Sequence, residues 1–202
     1  MSSTPLVLAS ASPRRRELLR GAGFAPRVLE SDLDDADLPR RGVTPQCFVA
    51  SLAWFKAARV VRMHAPGAAV VLAADTVCIG VDRLLGKPRD ERDARAMIAS
   101  LRTATHRTAT GVAVIEPCGK RHLFVDVATV TMGAIDDATL ERYLASGAWR
   151  GKAGGYNYAE CLASGWPLLC AGDPTSVMGL PMQRVAPLLD SLRVVRAEAY
   201  RC

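Results

Sequence analysis

The 202-residue sequence predicts an α/β fold: a mixed β-sheet flanked by helices. Three observations predict it. Residues 68–79 form a nearly continuous apolar run, too short and too valine-rich for a helix, which reads as a strand buried on both faces. Residues 108–115 and 123–132 alternate as antiparallel strands, joined near 117–120 as a hairpin. Segments with apolar residues at helical spacing interleave with these strands, so crossovers and hairpins coexist in one sheet.

Taken in order, residues 6–10 read as a short strand. Residues 14–23 follow as a helix with Leu18, Leu19 and Ala22 on one face, Ser12 as N-cap and Pro13 at the first helical position. Residues 27–31 are extended, and 32–45 form an acidic, proline-containing loop. Thr44-Pro45 opens a helix to about His64 with Val49, Leu52, Ala53, Ala57 and Val60 inward, and Pro66-Gly67 closes it. After the strand at 68–79, a turn through 80–88 leads to a helix over 90–101, capped by Asp90 and anchored by Met97, Ile98 and Leu101. Beyond the hairpin, residues 136–146 form a helix ended by Gly147. The tail holds the glycine-rich turn Lys152-Ala153-Gly154-Gly155-Tyr156, a strand at 167–171 and a helix from Pro181 to about Leu192. There is no internal repeat or low-complexity tract.

Half the residues are hydrophobic and 23% are charged, which places the chain among globular proteins and away from disorder. The length fits one domain with two lobes. A net charge of +6 and a pI near 9.2 favour a polyanionic ligand such as a nucleotide, a phosphate ester or nucleic acid. No apolar run approaches the roughly 20 residues of a membrane helix, and residues 1–20 lack a signal-peptide centre. A soluble cytoplasmic protein with no membrane partner is expected. The six cysteines are irregularly spaced without a CxxC pair, and there are only three histidines, which argues against a zinc site or a disulfide framework.

Ser10-Ala11-Ser12-Pro13-Arg14-Arg15-Arg16 carries a strand through small hydroxyl residues into the basic start of a helix. Three arginines there oppose the helix dipole and ask for an external anion; the plain alternative is a solvated basic turn. Asp75 interrupts the buried strand, where a carboxylate is costly unless it meets a cleft, a metal or a partner. Lys56 lies on or beside the apolar stripe of its helix, either snorkelling or functional. Gly86-Lys87-Pro88 offers an ammonium just after the strand, without a P-loop pattern around it. Asp32, Asp34, Asp35 and Asp37 are oxygen donors suited to a hard cation such as Mg²⁺. They do not form an EF-hand, because Asp37 stands where that loop needs glycine and Val43 where it needs glutamate. Together these groups suit a metal-assisted cut of a polyphosphate: cations neutralise phosphate oxygens, carboxylates hold the metal and one base orients water. Serine-triad and cysteine-nucleophile schemes lack their motifs.

In this order, Leu8-Ala9-Ser10-Ala11-Ser12-Pro13-Arg14-Arg15, Leu52-Ala53 with Lys56-Ala57, Ala74-Asp75-Thr76-Val77, Gly86-Lys87-Pro88, Lys152 to Tyr156 and Ser176-Val177-Met178-Gly179-Leu180-Pro181 resemble the Maf family of nucleoside triphosphate pyrophosphatases. The resemblance spans nearly the whole chain. It implies house-cleaning hydrolysis of a nucleoside triphosphate to the monophosphate and pyrophosphate, with a divalent metal cation (Mg²⁺, with Mn²⁺ or Co²⁺ as alternatives). It also implies an elongated fold with a cleft between two lobes, and homodimers are common in the family. Carried over by motif, Asp75 is the proton acceptor and a metal ligand, Arg15, Lys56 and Lys87 bind phosphate, and Ser10 sits beside the phosphates. Asp34, or Asp35 if the loop shifts by one, stands where the family has a metal-binding glutamate.

Arg14 and Thr76 reproduce the branch acting on dTTP and UTP. That branch has a glutamine where this chain has Ala159 followed by Glu160, which accepts from a base edge but does not donate as an amide does. Gly172-Asp173-Pro174-Thr175 is similar to the branch acting on 7-methylguanosine triphosphate. Pyrimidine triphosphates are the first expectation and methylated guanine nucleotides the second. The rival from another class is a non-catalytic regulator binding nucleotide or nucleic acid; nucleic-acid binding predicts interleaved aromatics, and these are 5% of the chain.

Overall fold

A parallel core strand, β1 (Leu6–Leu8), has β2 (Arg27–Val28) on one side and β3 (Val70–Ile79) on the other. The computed structural model describes residues 4–33 and 42–196. Helix α1 (Pro13–Gly21) carries the chain from β1 to β2, and α2 (Pro45–His64) returns it to β3. Beyond these come β4 (Leu84–Leu85), α3 (Glu91–Leu101), β5 (Ala104–Ile115), β6 (Arg121–Met132), α4 (Asp137–Ala145), α5 (Tyr158–Ala163), β7 (Leu168–Ala171), α6 (Pro174–Val177) and α7 (Met182–Ser191). The sheet order is β2-β1-β3-β5-β6-β7, with β4 pairing antiparallel to β3. Parallel β1 pairs and the antiparallel β6–β7 pair make the sheet mixed, the class the sequence predicts.

Helix starts follow local chemistry. Ser12 accepts from the Arg15 N–H, Thr44 from Cys47, Asp90 from Asp93 and Asp136 from Thr139, and Pro13 and Pro45 open α1 and α2. Helix α2 has the bounds expected from Thr44-Pro45 and His64. Strand β5 begins earlier than the apolar alternation at 108–115, because in its first four residues only His106 is buried. Helices α5 and α6 and the two-residue β4 escape the sequence pattern because each is too short to show a period. No helix among the described residues is long and apolar enough to cross a membrane.

The chain forms two compact units, Met1–Asp75 with Thr110–Asp126 and Gly179–Cys202, and Thr76–Ala109 with Val127–Met178. In the first unit, strand alternation sorts side chains between two cores. Leu6, Leu8, Leu72, Ala74, Val112 and Val114 pack with Leu19 of α1 and Val185 and Leu189 of α7. Val7, Ala9, Val71, Ala73, Ala113 and Ile115 pack with Ala53, Ala57 and Val60 of α2. The second unit has its own core around Ile98, Leu101, Met132, Leu140, Leu144, Trp149 and Trp166. There Arg95 of α3 grips Glu141 of α4 with both guanidinium NH₂ groups, and the Trp149 indole donates to the Leu144 carbonyl at 3.0 Å.

Gly111 sets how closely α2 lies on β5. A Cβ there would stand 2.4 Å from the Val49 backbone carbon and oxygen, contacts that neither rotamer changes nor small shifts relieve. Gly111→Ala is therefore expected to cost about 3 kcal/mol through overpacking and to lower Tm by roughly 6–12 °C. Gly21→Ala, where nothing lies within 4 Å, should leave Tm nearly unchanged, and thermal denaturation of the two variants checks the contrast.

Candidate active site

Because α1 leads to one side of β1 and β3 arrives on the other, the carboxyl ends of β1 and β3 form a topological switch point, the habitual ligand position of open α/β sheets. Two groups of predicted residues lie on the strands that form it, one on each face.

The first follows β1. The Ala9 N–H donates to Leu72 O at 2.8 Å, which extends the strand contact by one residue and leaves Ser10 at its tip. By alternation Ser10 falls on the α1 side, with Leu6 and Leu8. Its Oγ accepts from the Ser12 N–H at 3.2 Å and from Arg15 Nη1 at 3.1 Å. Arg15 Nε donates to the Gly179 carbonyl at 2.8 Å. Two contacts on different edges thus fix the plane of the guanidinium, a group shaped for bidentate oxyanion binding. Arg14 is half-buried and Arg16 exposed, so the three arginines are not equivalent. The Gly179 carbonyl was hidden from sequence reasoning, since it lies 164 residues from Arg15 and no side chain marks it.

The second group joins β3 to α2. Asp75 is 4% exposed and shares the parity of Val71 and Ala73, so it faces α2. Lys56, three residues after Ala53 and one before Ala57, brings Nζ to 2.5 Å from Asp75 Oδ1. The ion pair answers the desolvation of both groups, and removing one partner of such a buried pair costs about 3–5 kcal/mol. Lys56 therefore does not snorkel; it is directed at the carboxylate that the sequence marks as anomalous.

The remaining predicted residues belong to the second unit or lie outside the described residues. Thr76 follows Asp75 on β3 and is half-buried. Lys87 is exposed in the turn between β4 and α3. The Gly86 carbonyl in this turn accepts from the Gly154 N–H at 3.0 Å, so Gly86-Lys87-Pro88 is bonded to the glycine turn at 152–156. Glu160 is exposed on α5. Asp34, with Asp35 and Asp37, falls outside the described residues, and among those described no three His, Cys, Asp or Glu side chains gather as a metal cluster. The described donor suits a hard cation: Asp75 presents carboxylate oxygen midway along β3, level with the end of β1. Mg²⁺ takes one or two protein carboxylates and fills its shell with water and substrate phosphates, so this sparse donor set fits a metal shared with a polyphosphate.

Sequence reasoning also missed a buried polar pair in the second unit. His106 Nε2 lies 2.8 Å from Tyr156 Oη, with the rings edge to face. Burial lowers the histidine pKa to about 4 and raises that of the tyrosine, so both stay neutral at physiological pH. Burial likewise pushes the Cys78 and Cys161 thiols up to about 12, which leaves neither as a thiolate nucleophile.

The folded chain refuses a proton at His106 until about pH 4, while the unfolded chain takes it near 6.5. This contribution to stability is complete above pH 6.5 and is lost as pH falls toward 4, on the order of 3 kcal/mol across that window. Tm measured from pH 8 to 4 should accordingly fall less steeply below 6.5 for His106→Gln than for the wild type. Parallel curves would show that the imidazole titrates normally.

The sequence profile of the family described as Maf-like protein matches residues 5–192. Curated relatives named dTTP/UTP pyrophosphatase include one from Caulobacter vibrioides, 43% identical over 188 residues, which cover 93% of this chain and 95% of the relative. Those from Hyphomonas neptunium (40% identical, 94% and 96% covered) and Novosphingobium aromaticivorans (41%, 91% and 90%) are similar over the same extent. A crystal structure of a nucleoside-triphosphatase / dITP/XTP pyrophosphatase from Mycobacterium abscessus shows a weaker similarity, with a TM-score of 0.39 and 14% identity over 64% of this chain and 73% of that one. A profile match across nearly the full length, and identities near 40% over nine-tenths of each chain, establish that this chain belongs to the Maf-like protein family.

Proposed function

We propose that this chain is a nucleoside triphosphate pyrophosphatase that releases the nucleoside monophosphate and pyrophosphate, with dTTP and UTP as preferred substrates and the cytoplasm as its working compartment. The observation that carries the reading is the Lys56–Asp75 ion pair on β3, set on the strand next to the Ser10–Arg15 contact at a switch point. The base preference rests on the names of the relatives and on Arg14 and Thr76.

In this mechanism a water attacks the α-phosphorus and the bond from that phosphorus to the α,β-bridging oxygen breaks, so pyrophosphate leaves. Asp75 accepts the water proton as the new P–O bond forms. Arg15, held by Ser10 and the Gly179 carbonyl, offers its guanidinium to phosphate oxygens without a reorientation cost at the moment of reaction. The Lys56 ammonium has three donors, which lets it bridge Asp75 and a phosphate oxygen. Lys87 supplies a further cation on a turn. Asp75, together with Asp34, would hold a divalent metal, which when bound neutralises charge on the phosphate oxygens and the leaving pyrophosphate. Glu160 and Arg14 are the residues we assign to base choice. Gly172-Asp173-Pro174-Thr175 favours 7-methylguanosine triphosphate as the second substrate to test.

Asp75→Asn keeps an acceptor for Lys56 but removes the proton acceptor, and kcat should fall about 10²–10⁴-fold. Initial rates of pyrophosphate release from dTTP, UTP, the other common triphosphates and 7-methylguanosine triphosphate test this directly. Wild-type release by folded Asp75→Asn, or turnover of no nucleotide by the wild type with Mg²⁺, Mn²⁺ or Co²⁺ supplied, sinks the reading.

The arginines separate in a second experiment. Arg15→Ala should raise KM for the triphosphate at least tenfold, as expected for a lost charge-assisted contact. Arg16→Ala, on an exposed side chain, should leave KM within about twofold. Equal effects from the two variants would mean that the turn acts only through its net charge.

A further inference from the structure

Lys87 stands on an exposed turn, and where its ammonium can reach depends on where the backbone of that turn stands. What fixes the turn is backbone. The Gly86 carbonyl accepts from the Gly154 N–H at 3.0 Å, and a Cβ on Gly155 would lie 3.4 Å from both Pro88 Cγ and the Ala94 carbonyl. On the other side, a Cβ on Gly154 would approach Cys78 Sγ to 3.0 Å. Gly154 and Gly155 both have positive φ, +76° and +77°, which glycine adopts freely. The glycine turn is thus a bracket pressed against Gly86-Lys87-Pro88.

The bracket is itself pinned just past its glycines. Tyr156 Oη meets His106 Nε2 of β5 at 2.8 Å, and the following Asn157 N–H donates to Tyr143 Oη of α4 at 3.0 Å. His106 is 2% exposed, and its Nδ1 has no hydrogen-bond partner. A core selected for stability alone would do better with an apolar pair, since a buried imidazole with one unsatisfied nitrogen is costly. The cost is accepted where it holds the aromatic of the Lys152 to Tyr156 turn at a single height.

We propose that His106 and Tyr156 are positioning residues for Lys87, acting through the glycine turn and the Gly86 carbonyl. This rests on the reading above that Lys87 binds a substrate phosphate. Neither residue touches substrate in this scheme; their hydrogen bond decides where the Lys87 backbone stands.

The test is a double-mutant cycle on KM for dTTP and UTP with the full chain. Tyr156→Phe keeps the ring in the core and removes only the hydroxyl; it should raise KM about three- to tenfold with kcat changed less than twofold, the range one neutral hydrogen bond supports. In a Lys87→Ala background, which itself raises KM, Tyr156→Phe should add nothing, because the group being positioned is gone. His106→Gln, whose amide can donate to or accept from Tyr156 Oη, should keep KM near the wild type, whereas His106→Leu should match Tyr156→Phe. A drop in Tm without a change in KM, or an equal KM effect with and without Lys87, overturns this inference alone. An unchanged KM in Lys87→Ala overturns the underlying assignment of Lys87 and this inference with it.

Discussion

The first unit is organised around one constraint: a carboxylate inside a sheet must be met by a cation. Asp75 is 4% exposed on a strand whose neighbours in sequence are almost wholly apolar, and a lone charge there would be neutralised or expelled. Lys56 meets it at 2.5 Å, which is possible only because α2 lies close against the sheet. That closeness is built from small residues: Ala53 and Ala57 on the helix, Ala9, Ala73 and Ala113 on the strands, and Gly111, where even a methyl group would strike the Val49 backbone. The packing that looks structural therefore serves the pair. Larger side chains on either surface would lift the helix and take the ammonium out of range.

On the opposite face of the same strands, polarity is handled differently. Ser10 and Arg15 meet there through side-chain and backbone oxygens. They are joined by neutral acceptors, a serine oxygen and the Gly179 carbonyl. Hydrogen bonds on two of its edges fix the plane in which the guanidinium lies. The two faces of β1 and β3 thus carry different chemistry: a buried ion pair on the α2 side and an oriented guanidinium on the α1 side. In the proposed reaction the triphosphate takes the second, and the attacking water the proton acceptor of the first.

Much of this was legible in the sequence because its signals are local. Ser12-Pro13 and Thr44-Pro45 mark helix starts through caps and missing N–H groups, and α2 spans the residues its cap and apolar stripe predict. Asp75 stood out because a charge within an apolar run violates a strong rule, and Lys56 because it breaks an apolar stripe. That the two violations answer each other is a long-range fact, set by strand order rather than by either residue's neighbours. Residues that act through backbone were invisible for the same reason. The Gly179 carbonyl and the Gly86 carbonyl have no side-chain signature, and His106 sits in a polar opening of β5 that mimics a solvated strand end. Helices α5 and α6 are too short for periodicity to register. Asp34 was legible as one oxygen donor of an acidic loop, its choice among them came through resemblance, and it lies outside the described residues.

The cations proposed for phosphate are fixed by three different devices, and the difference has a physical logic. Arg15 is fixed at its head group and Lys56 by the ion pair at its tip, while the turn that carries Lys87 is bonded through the Gly86 carbonyl to Gly154. A head group held rigidly loses little entropy on binding and favours one geometry, which suits the oxygens around the phosphorus under attack.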